Sequence, residues 1–329
     1  MVRVASLLYQ ALYRGVLVRL PEPAAIALGQ WTLRTLPIDA LAVFRNDDPR
    51  LATTLGGVRL PNPIILSSMY YDPAILRRAM GLGFGAVTTK SITVRPRPGH
   101  PEPNLVRIAT PEGPGFVNCN GFHNPGLDAY RRALASLPHR RPLIVAAAGE
   151  SIEDYVEVVS GLAPFGDLVE INISSPNTRL VYEWSQKPSE LRRLFGAVRG
   201  ATAKPVIVKI SPDFHEENLR AIVPAALDAG ITIMNYGNTR RIEEPRLSQG
   251  AGGLSGPALL AATLANVRAL RDRFGSALEI VATGGIHSPE SARRALEAGA
   301  NACAYFSAFI TEGPLLARRI LDALAARVK

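Results

Sequence analysis

The chain has 329 residues, of which 47% are hydrophobic and 20% charged, a composition that excludes a largely disordered protein. The formal charge is +9, but the basic residues are scattered without a basic run or interleaved aromatic residues, so no nucleic-acid partner is expected. Cys119 and Cys303 stand far apart, outside any histidine-rich context, which predicts neither a disulfide framework nor a metal site. These values indicate a globular protein of the reducing cytoplasm.

Residues 1–40 form an apolar N-terminal segment that predicts two helices, over 5–19 and 23–36. Arginines interrupt its apolar runs well short of the ~20 residues that a transmembrane helix needs, and no small-residue cleavage site follows. Two interpretations stay open. The helices either pack on the rest of the protein, or form a hydrophobic lip on the inner face of the cell membrane with arginines toward anionic headgroups.

Beyond the turn region 40–58, eight apolar segments rich in β-branched residues predict buried parallel strands, with helical stretches between them. Eight β/α units predict an α/β fold, a closed (β/α)8 TIM barrel over residues 41–329 with residues 1–40 as an N-terminal helical extension. The strands are expected at 62–67, 85–90, 142–147, 168–174, 205–210, 231–236, 279–283 and 302–306. The helices are expected near 73–82, 151–163, 188–201, 215–229, 257–274, 288–298 and 313–327.

The connection over residues 91–141 is far longer than an ordinary loop and has seven prolines between positions 96 and 125. We expect a proline-stiffened loop after the second strand, covering the top of the barrel and closing on a ligand.

Residues 168–178, Leu-Val-Glu-Ile-Asn-Ile-Ser-Ser-Pro-Asn-Thr, combine a buried strand with short polar side chains at its end, where barrel enzymes carry their catalytic groups. Carboxamides such as those of Asn172 and Asn177 donate and accept at once, which suits a ligand with imide and amide edges. The same residue types also build Asx-turns and helix N-caps, so both interpretations stay open.

Two short segments follow the last two predicted strands, at the position where barrels bind phosphate through backbone N–H groups of glycine turns and helix N-termini. They are Thr283-Gly284-Gly285-Ile286 and Phe306-Ser307-Ala308, and Gly252-Gly253-Leu254-Ser255-Gly256 stands before the helix that precedes the first of these two strands. This arrangement predicts a site for a phosphate-bearing cofactor.

Lys209 lies inside an otherwise apolar strand, where an unpaired ammonium would cost several kcal/mol to bury. An anionic partner is therefore expected, unless the lysine extends to solvent at the barrel rim. Lys90, at the end of the second predicted strand, has the same requirement.

Seven motifs in this order and spacing resemble those of the dihydroorotate dehydrogenase family, FMN-containing barrel enzymes of pyrimidine synthesis, over residues 58–318. They are Thr89-Lys90-Ser91, Gly121-Phe122-His123-Asn124-Pro125-Gly126, Asn172-Ile173-Ser174-Ser175-Pro176-Asn177-Thr178, Val208-Lys209-Ile210-Ser211-Pro212-Asp213, Asn238-Thr239, Gly252-Gly253-Leu254-Ser255-Gly256 and Gly284-Gly285-Ile286. The resemblance implies non-covalently bound FMN and oxidation of dihydroorotate to orotate.

The resemblance also implies residue roles, with Ser175 as the base that takes the proton from substrate C5, helped by a polar relay or water. Lys209 would face the pyrimidine edge of the flavin and stabilise the negative charge that develops on reduction. The substrate-binding residues implied are Lys90, Asn124, Asn172, Asn177, Asn238 and Thr239. The cofactor-binding residues implied are Ser67, Lys90, Asn172, Lys209, Ser255, Gly256, Gly284, Gly285, Phe306 and Ser307.

The expected electron acceptor is a quinone, because a serine base and an N-terminal extension resemble the membrane-associated class of the family. Lys90 instead resembles the soluble fumarate- or NAD-linked classes, which stay open. The stretches 67–72 and 179–182 depart from the family pattern, the first by lacking a lysine for which Lys90 could substitute. Another cyclic amide or enoate such as dihydrouracil, or a non-catalytic flavin-binding barrel, therefore stays an alternative. An oligomer and peripheral membrane contact are both compatible with the sequence.

Overall fold

The computed structural model describes residues 2–138, 141–174, 187–214 and 216–327. Its strands are β1 (Thr53–Leu55), β2 (Val58–Leu60), β3 (Ile64–Leu66), β4 (Ala86–Thr88), β5 (Leu105–Thr110), β6 (Gly113–Asn118), β7 (Leu143–Ala147), β8 (Leu168–Asn172), β9 (Val206–Ile210), β10 (Ile233–Tyr236), β11 (Arg240–Glu243), β12 (Ala251–Ser255), β13 (Glu279–Thr283) and β14 (Ala302–Tyr305). Its helices are α1 (Val2–Gly15), α2 (Glu22–Thr35), α3 (Pro73–Met80), α4 (Leu127–Leu134), α5 (Ile152–Leu162), α6 (Pro188–Ala201), α7 (Glu216–Asp228), α8 (Leu260–Phe274), α9 (Pro289–Glu297), α10 (Ser307–Thr311) and α11 (Leu316–Ala325).

Eight parallel strands close into a barrel in the order β10-β13-β14-β3-β4-β7-β8-β9, which confirms the predicted (β/α)8 fold. Each predicted strand is present, because the buried strands of a parallel barrel are apolar on both faces and are easily recognised in the sequence. The barrel interior is closed at its N-terminal end by the antiparallel hairpin of β1 and β2, whose Leu55 and Leu60 pack with Ile65, Ile207 and Ile233.

The connection 91–141 contains regular structure that the sequence reasoning missed. Strands β5 and β6 form a hairpin inside it, and α4 follows. The hairpin joins β11 and β12 in a four-stranded antiparallel sheet of order β11-β12-β6-β5. The expected loop is therefore a small sheet at the top of the barrel, and Gly252–Gly256, expected to be a phosphate-binding turn, lies largely in strand β12. Most prolines of the connection lie outside its strands, so their number did not prevent pairing.

Helices α1 and α2 lie close to their predicted positions and are attached to the barrel by polar contacts and by Leu33 of α2, which is buried in the main hydrophobic core. The Tyr9 hydroxyl donates to the Ile310 carbonyl at 2.7 Å, and Gln10 donates to Glu312 at 2.7 Å. Arg34 of α2 forms an ion pair of 2.6 Å with Asp72. Within the described ranges, no helix is both long and apolar enough to cross a membrane.

Large apolar side chains are exposed along the same two helices and the segment after them. The exposed set, named here the apolar rim, comprises Val4, Leu7, Leu8, Leu12, Val16, Val18, Ile26, Leu28, Trp31, Leu36 and Leu41. An exposed apolar surface of this extent on a folded protein indicates a surface that contacts something apolar.

Candidate active site

A cavity of about 910 Å³ connects the C-terminal ends of the barrel strands with the space between α1 and α2. Its inner end is lined by polar residues at the strand ends, among them Lys90, Asn172 and Lys209. Its outer end is lined by α1 and α2, through residues such as Leu12, Ala25 and Leu28. The two ends therefore offer different chemical environments within one continuous space.

Lys209 projects from β9 into the inner end and is 5% exposed. Its Nζ donates to Ser68 Oγ at 3.2 Å and lies 3.8 Å from Glu170 Oε1 on the neighbouring strand β8. Asn235 donates to Glu170 Oε2 at 2.6 Å, and Thr283 donates to Asn235 at 2.6 Å. The expected anionic partner of Lys209 is thus Glu170, which sequence reasoning did not assign although it stands in the same quoted strand as Asn172.

Lys90 follows the end of β4 and lines the same end of the cavity. No side chain among the described residues forms an ion pair or hydrogen bond with its ammonium. Burial lowers the pKa of Lys90 to about 8. The group is therefore partly neutral just above neutral pH, and a nearby anion would restore its charge.

Asn172, Ser174 and Asn238 form a polar cluster where β8 ends. Asn172 donates to Ser91 Oγ at 3.0 Å and accepts from Ser174 Oγ at 2.7 Å. Asn238 donates to Ser174 Oγ at 2.7 Å and accepts from the Thr239 N–H at 2.8 Å. This network fixes the amide orientations and joins the ends of β8 and β10 at the cavity wall.

Ser67 lies at the end of β3, and its buried hydroxyl has no hydrogen-bond partner among the described residues. Gly284 and Gly285 follow β13 with φ of +114° and +76°, a left-handed backbone that favours glycine. Ser307 is the first residue of α10, so its N–H has no acceptor within that helix. Because all four residues line the cavity, its wall here supplies polar donors that a ligand can use.

The cavity wall includes most of the residues predicted for the site. They are Ser67, Lys90, Asn172, Lys209, Asn238, Thr239, Ser255, Gly256, Gly284, Gly285, Phe306 and Ser307. Asn124 does not line the cavity. Its carboxamide accepts from the Gly126 N–H at 2.9 Å and donates to the Phe122 carbonyl at 2.6 Å, so it holds its own loop. Ser175 and Asn177 lie outside the described residues, and the roles of all these side chains stay predictions.

Several further polar residues that sequence reasoning did not select line the cavity, among them Asn118, Asn120 and His123. The Tyr71 hydroxyl and His123 Nε2 are 3.1 Å apart, and their rings are stacked. Asn118 is the last residue of β6. Had that strand been recognised in the sequence, Asn118 would have been identified as another polar residue at a strand end.

Aromatic and charged residues also line the cavity, among them Tyr70, Phe306 and Arg107. Tyr70 and Phe306 are in edge-to-face contact at 5.3 Å, and burial raises the pKa of Tyr70 well above its usual range. Arg107 of β5 donates to the carbonyls of Leu17 and Leu20, between α1 and α2, at 3.2 and 2.8 Å. The sheet at the top of the barrel thereby holds the turn between the two helices.

Comparison with known proteins supplies the family. The family model described as dihydroorotate dehydrogenase matches residues 50–328. A protein of Chloroflexus aurantiacus named dihydroorotate dehydrogenase (quinone) is 32% identical over 99% of both chains. One of the same name from Sphingopyxis alaskensis is 35% identical over 85% of this chain and 83% of its own. The crystal structure of DHODH from Eimeria tenella in complex with ferulenol is similar with a TM-score of 0.82, at 26% identity over 95% of this chain and 93% of that chain.

Proposed function

The chain belongs to the dihydroorotate dehydrogenase family, and we propose that it oxidises dihydroorotate to orotate in pyrimidine biosynthesis, using FMN and passing electrons to a quinone. The observation that carries the proposal is the continuous cavity, polar at the barrel end and apolar at the helical end. A polar substrate and an apolar acceptor can therefore reach the same cofactor from two directions.

The inner end of the cavity suits FMN. The Ser67 hydroxyl, which has no hydrogen-bond partner among the described residues, and the ammonium of Lys209 would hydrogen-bond the flavin ring. Gly284, Gly285, Phe306 and Ser307 would surround the phosphate, as backbone N–H groups do at strand ends. When bound, the flavin accepts a hydride from the substrate and passes the electrons onward. Asn172, Ser255 and Gly256 would complete the cofactor-binding residues.

The substrate would lie against the carboxamides at the ends of β8 and β10. Asn172, Asn238 and Thr239 supply fixed donors and acceptors for the pyrimidine ring, and Lys90 supplies positive charge for a carboxylate. Asn124 and Asn177 complete the proposed substrate-binding set. Since Asn124 is engaged within its loop, its proposed contribution needs a rearrangement of that loop.

Ser175 is the proposed base. It follows Ser174, whose hydroxyl is hydrogen-bonded to Asn172 and Asn238 at the cavity wall. A neutral serine is a weak base, so a relay must carry the proton from its hydroxyl to water.

A quinone is favoured as acceptor by the outer end of the cavity, which lies between α1 and α2 and belongs to the same cavity that Tyr70 and Phe306 line. The apolar rim surrounds this region. If α1 and α2 lay among the lipid headgroups, the apolar rim would be buried and a lipid-soluble acceptor could enter the cavity from the membrane. We therefore propose residues 1–40 as a peripheral membrane extension on the inner face of the cell membrane, attached to a barrel over 41–329.

The test is anaerobic titration of the FMN-loaded protein with dihydroorotate, following the visible absorbance of the oxidised flavin. The wild-type protein should bleach, and Ser175→Ala should bleach at least ~100-fold more slowly, as expected for loss of a general base. Ser160→Ala, at an exposed position of α5, is the matched control and should bleach normally.

Three other outcomes would each contradict a part of the proposal. In the first, dihydrouracil but not dihydroorotate bleaches the bound FMN, which would show that dihydroorotate is not the substrate. Bleaching at the wild-type rate in Ser175→Ala would remove that serine from the mechanism. Reoxidation by fumarate or NAD, but not by a quinone, would replace the acceptor.

A further inference from the structure

Glu170 is a carboxylate buried within the barrel, 1% exposed, beside a lysine that is itself nearly inaccessible. Its Oε2 accepts from the Asn235 side chain at 2.6 Å. Its Oε1 accepts no hydrogen bond from the described residues and lies 3.8 Å from Lys209 Nζ. One oxygen is thus held by a neutral donor, and the other is left for the ammonium.

A chain of hydrogen bonds fixes this geometry from behind. Thr283 on β13 donates to Asn235 on β10 at 2.6 Å, and Asn235 in turn donates to Glu170 on β8. The three side chains come from separate strands, so the carboxylate cannot turn away from β9 without breaking the chain. Lys209 Nζ meanwhile reaches Ser68 at 3.2 Å, on the cavity side.

Lys90 shows what a lysine in this cavity does without such a partner. Among the described residues no carboxylate lies within ion-pair distance of its ammonium, and burial lowers its pKa to about 8. The two lysines line the same space, yet the structure provides a counter-ion for one of them.

We propose that Glu170 is a positioning residue that keeps Lys209 charged and directed at the flavin, and thereby sets the positive charge that stabilises the reduced cofactor. The inference rests on the proposed function only in taking the ligand at Lys209 to be FMN. The pair itself is a property of the chain and can be tested without any ligand.

The other ionisable groups that line the cavity should not produce the pH-dependent difference expected between Glu170→Gln and the wild type. Burial raises the pKa of Tyr305 on β14, which lines the same cavity, well above the usual range, so its phenol stays neutral at moderate pH. The same holds for Tyr70 beyond the end of β3. Lys90 titrates in the range of interest but is present in every variant compared, so its contribution cancels in a difference.

The first test compares Glu170→Gln with the wild type by equilibrating FMN-loaded protein with a redox dye between about pH 6 and about pH 9. Without the carboxylate, Lys209 should add more positive charge at low pH and lose its proton at high pH. The variant's ratio of reduced to oxidised flavin, divided by that of the wild type, should therefore fall at least tenfold across this range. A tenfold change corresponds to about 30 mV for a two-electron couple.

Glu244→Gln is the matched control, because Glu244 is also a buried carboxylate but pairs with Arg246 outside the cavity. Its ratio should follow that of the wild type at every pH. A constant offset for Glu170→Gln, or no difference, would overturn the proposal, since a carboxylate that keeps Lys209 charged must act in a pH-dependent way.

The second test needs no cofactor and uses urea unfolding of Glu170→Gln, Lys209→Met and the double variant. Lys209→Met leaves a buried carboxylate without its counter-ion, whereas the double variant removes both charges of the pair. The double variant should unfold at a higher urea concentration than Lys209→Met. If the loss of unfolding free energy in the double variant equals the sum of the losses in the two single variants, the proposed pairing is wrong. If no variant binds FMN while the unfolding results are non-additive, the proposed function fails and the pair stands.

Discussion

The inner and outer ends of the cavity differ in how the chain holds them. Side chains of the inner end project from barrel strands and are joined by buried hydrogen bonds, as in the chain from Thr283 to Glu170. The outer end is formed by two helices outside the barrel, which are attached through polar contacts such as those of Tyr9 and Gln10 and through the packing of Leu33. The barrel strands therefore position the polar side chains of the inner end, whereas α1 and α2 line the outer end.

This difference predicts that the two ends respond differently to mutation. A change at the inner end should disturb folding and ligand binding together, because the same strands provide both. A change at the outer end should alter acceptor or lipid contact while the barrel and the substrate half-reaction remain intact.

The largest expected effect is that of Gly237→Ala, between β10 and Asn238. A Cβ at this position would lie 1.6 Å from the Thr283 carbonyl oxygen, and the φ of +136° disfavours any side chain. We expect a loss of about 3 kcal/mol or more in the free energy of unfolding, with loss of orotate binding. Urea unfolding and ligand titration would measure both.

Gly196→Ala in α6 is the control, because no atom lies within 4 Å of its added Cβ. It should leave stability unchanged or slightly improved, as expected for alanine in a helix. Normal orotate binding by Gly237→Ala would show that the end of β10 does not shape the inner end.

The sequence was sufficient for the barrel because each of its strands is a short, fully buried apolar segment. It was insufficient for the sheet above the barrel. Strand β12, Ala-Gly-Gly-Leu-Ser, has little apolar alternation, and its glycines were interpreted as a phosphate-binding turn. These glycines instead allow close packing, since a Cβ at Gly253 would lie 1.9 Å from Thr239 Oγ1. Such contacts between distant segments leave no local pattern in the sequence.

The site shows the same limit. Burial of Lys209 in an apolar strand predicted an anionic partner, and Glu170 provides it. Asn124 could equally bind a ligand or hold its own turn, and its hydrogen bonds to Phe122 and Gly126 favour the second. Residue type cannot separate these alternatives, because both use the same donors and acceptors.

Deleting residues 1–40 tests the outer end as a unit. Quinone reduction and vesicle binding should fall to background, while bleaching of the flavin by dihydroorotate should persist. Stopped-flow absorbance under anaerobic conditions separates the two half-reactions. An unaltered rate of quinone reduction would contradict the role given to α1 and α2, and loss of bleaching would mean that the two ends are not separable.

A smaller effect is expected from the pH dependence of Lys90. Since burial lowers its pKa to about 8, the ammonium is mostly present near pH 7 and mostly lost near pH 9. Orotate, an anion, should bind about tenfold more weakly at the higher pH, following the protonated fraction. Isothermal titration across this range would measure the change.

Lys90→Met should bind orotate weakly with a nearly flat pH profile. Lys204→Met, at an exposed position before β9, should retain the wild-type profile. If the affinity of Lys90→Met for orotate still falls about tenfold between about pH 7 and about pH 9, the titrating group is another residue of the inner end.

The smallest effect concerns the apolar rim, where Leu8 is 67% exposed. If the rim lies in a headgroup region, Leu8→Ser should weaken binding to anionic vesicles by about fivefold, the ~1 kcal/mol expected from burying half a leucine side chain. The unfolding free energy of Leu8→Ser should differ from that of the wild type by no more than ~0.5 kcal/mol, because the exposed side chain makes few contacts within the protein. Ala203→Ser, exposed at the opposite end of the barrel, introduces the same hydroxyl and should change neither value. Equal vesicle binding by both variants would mean that the apolar rim contacts a protein surface and not lipid.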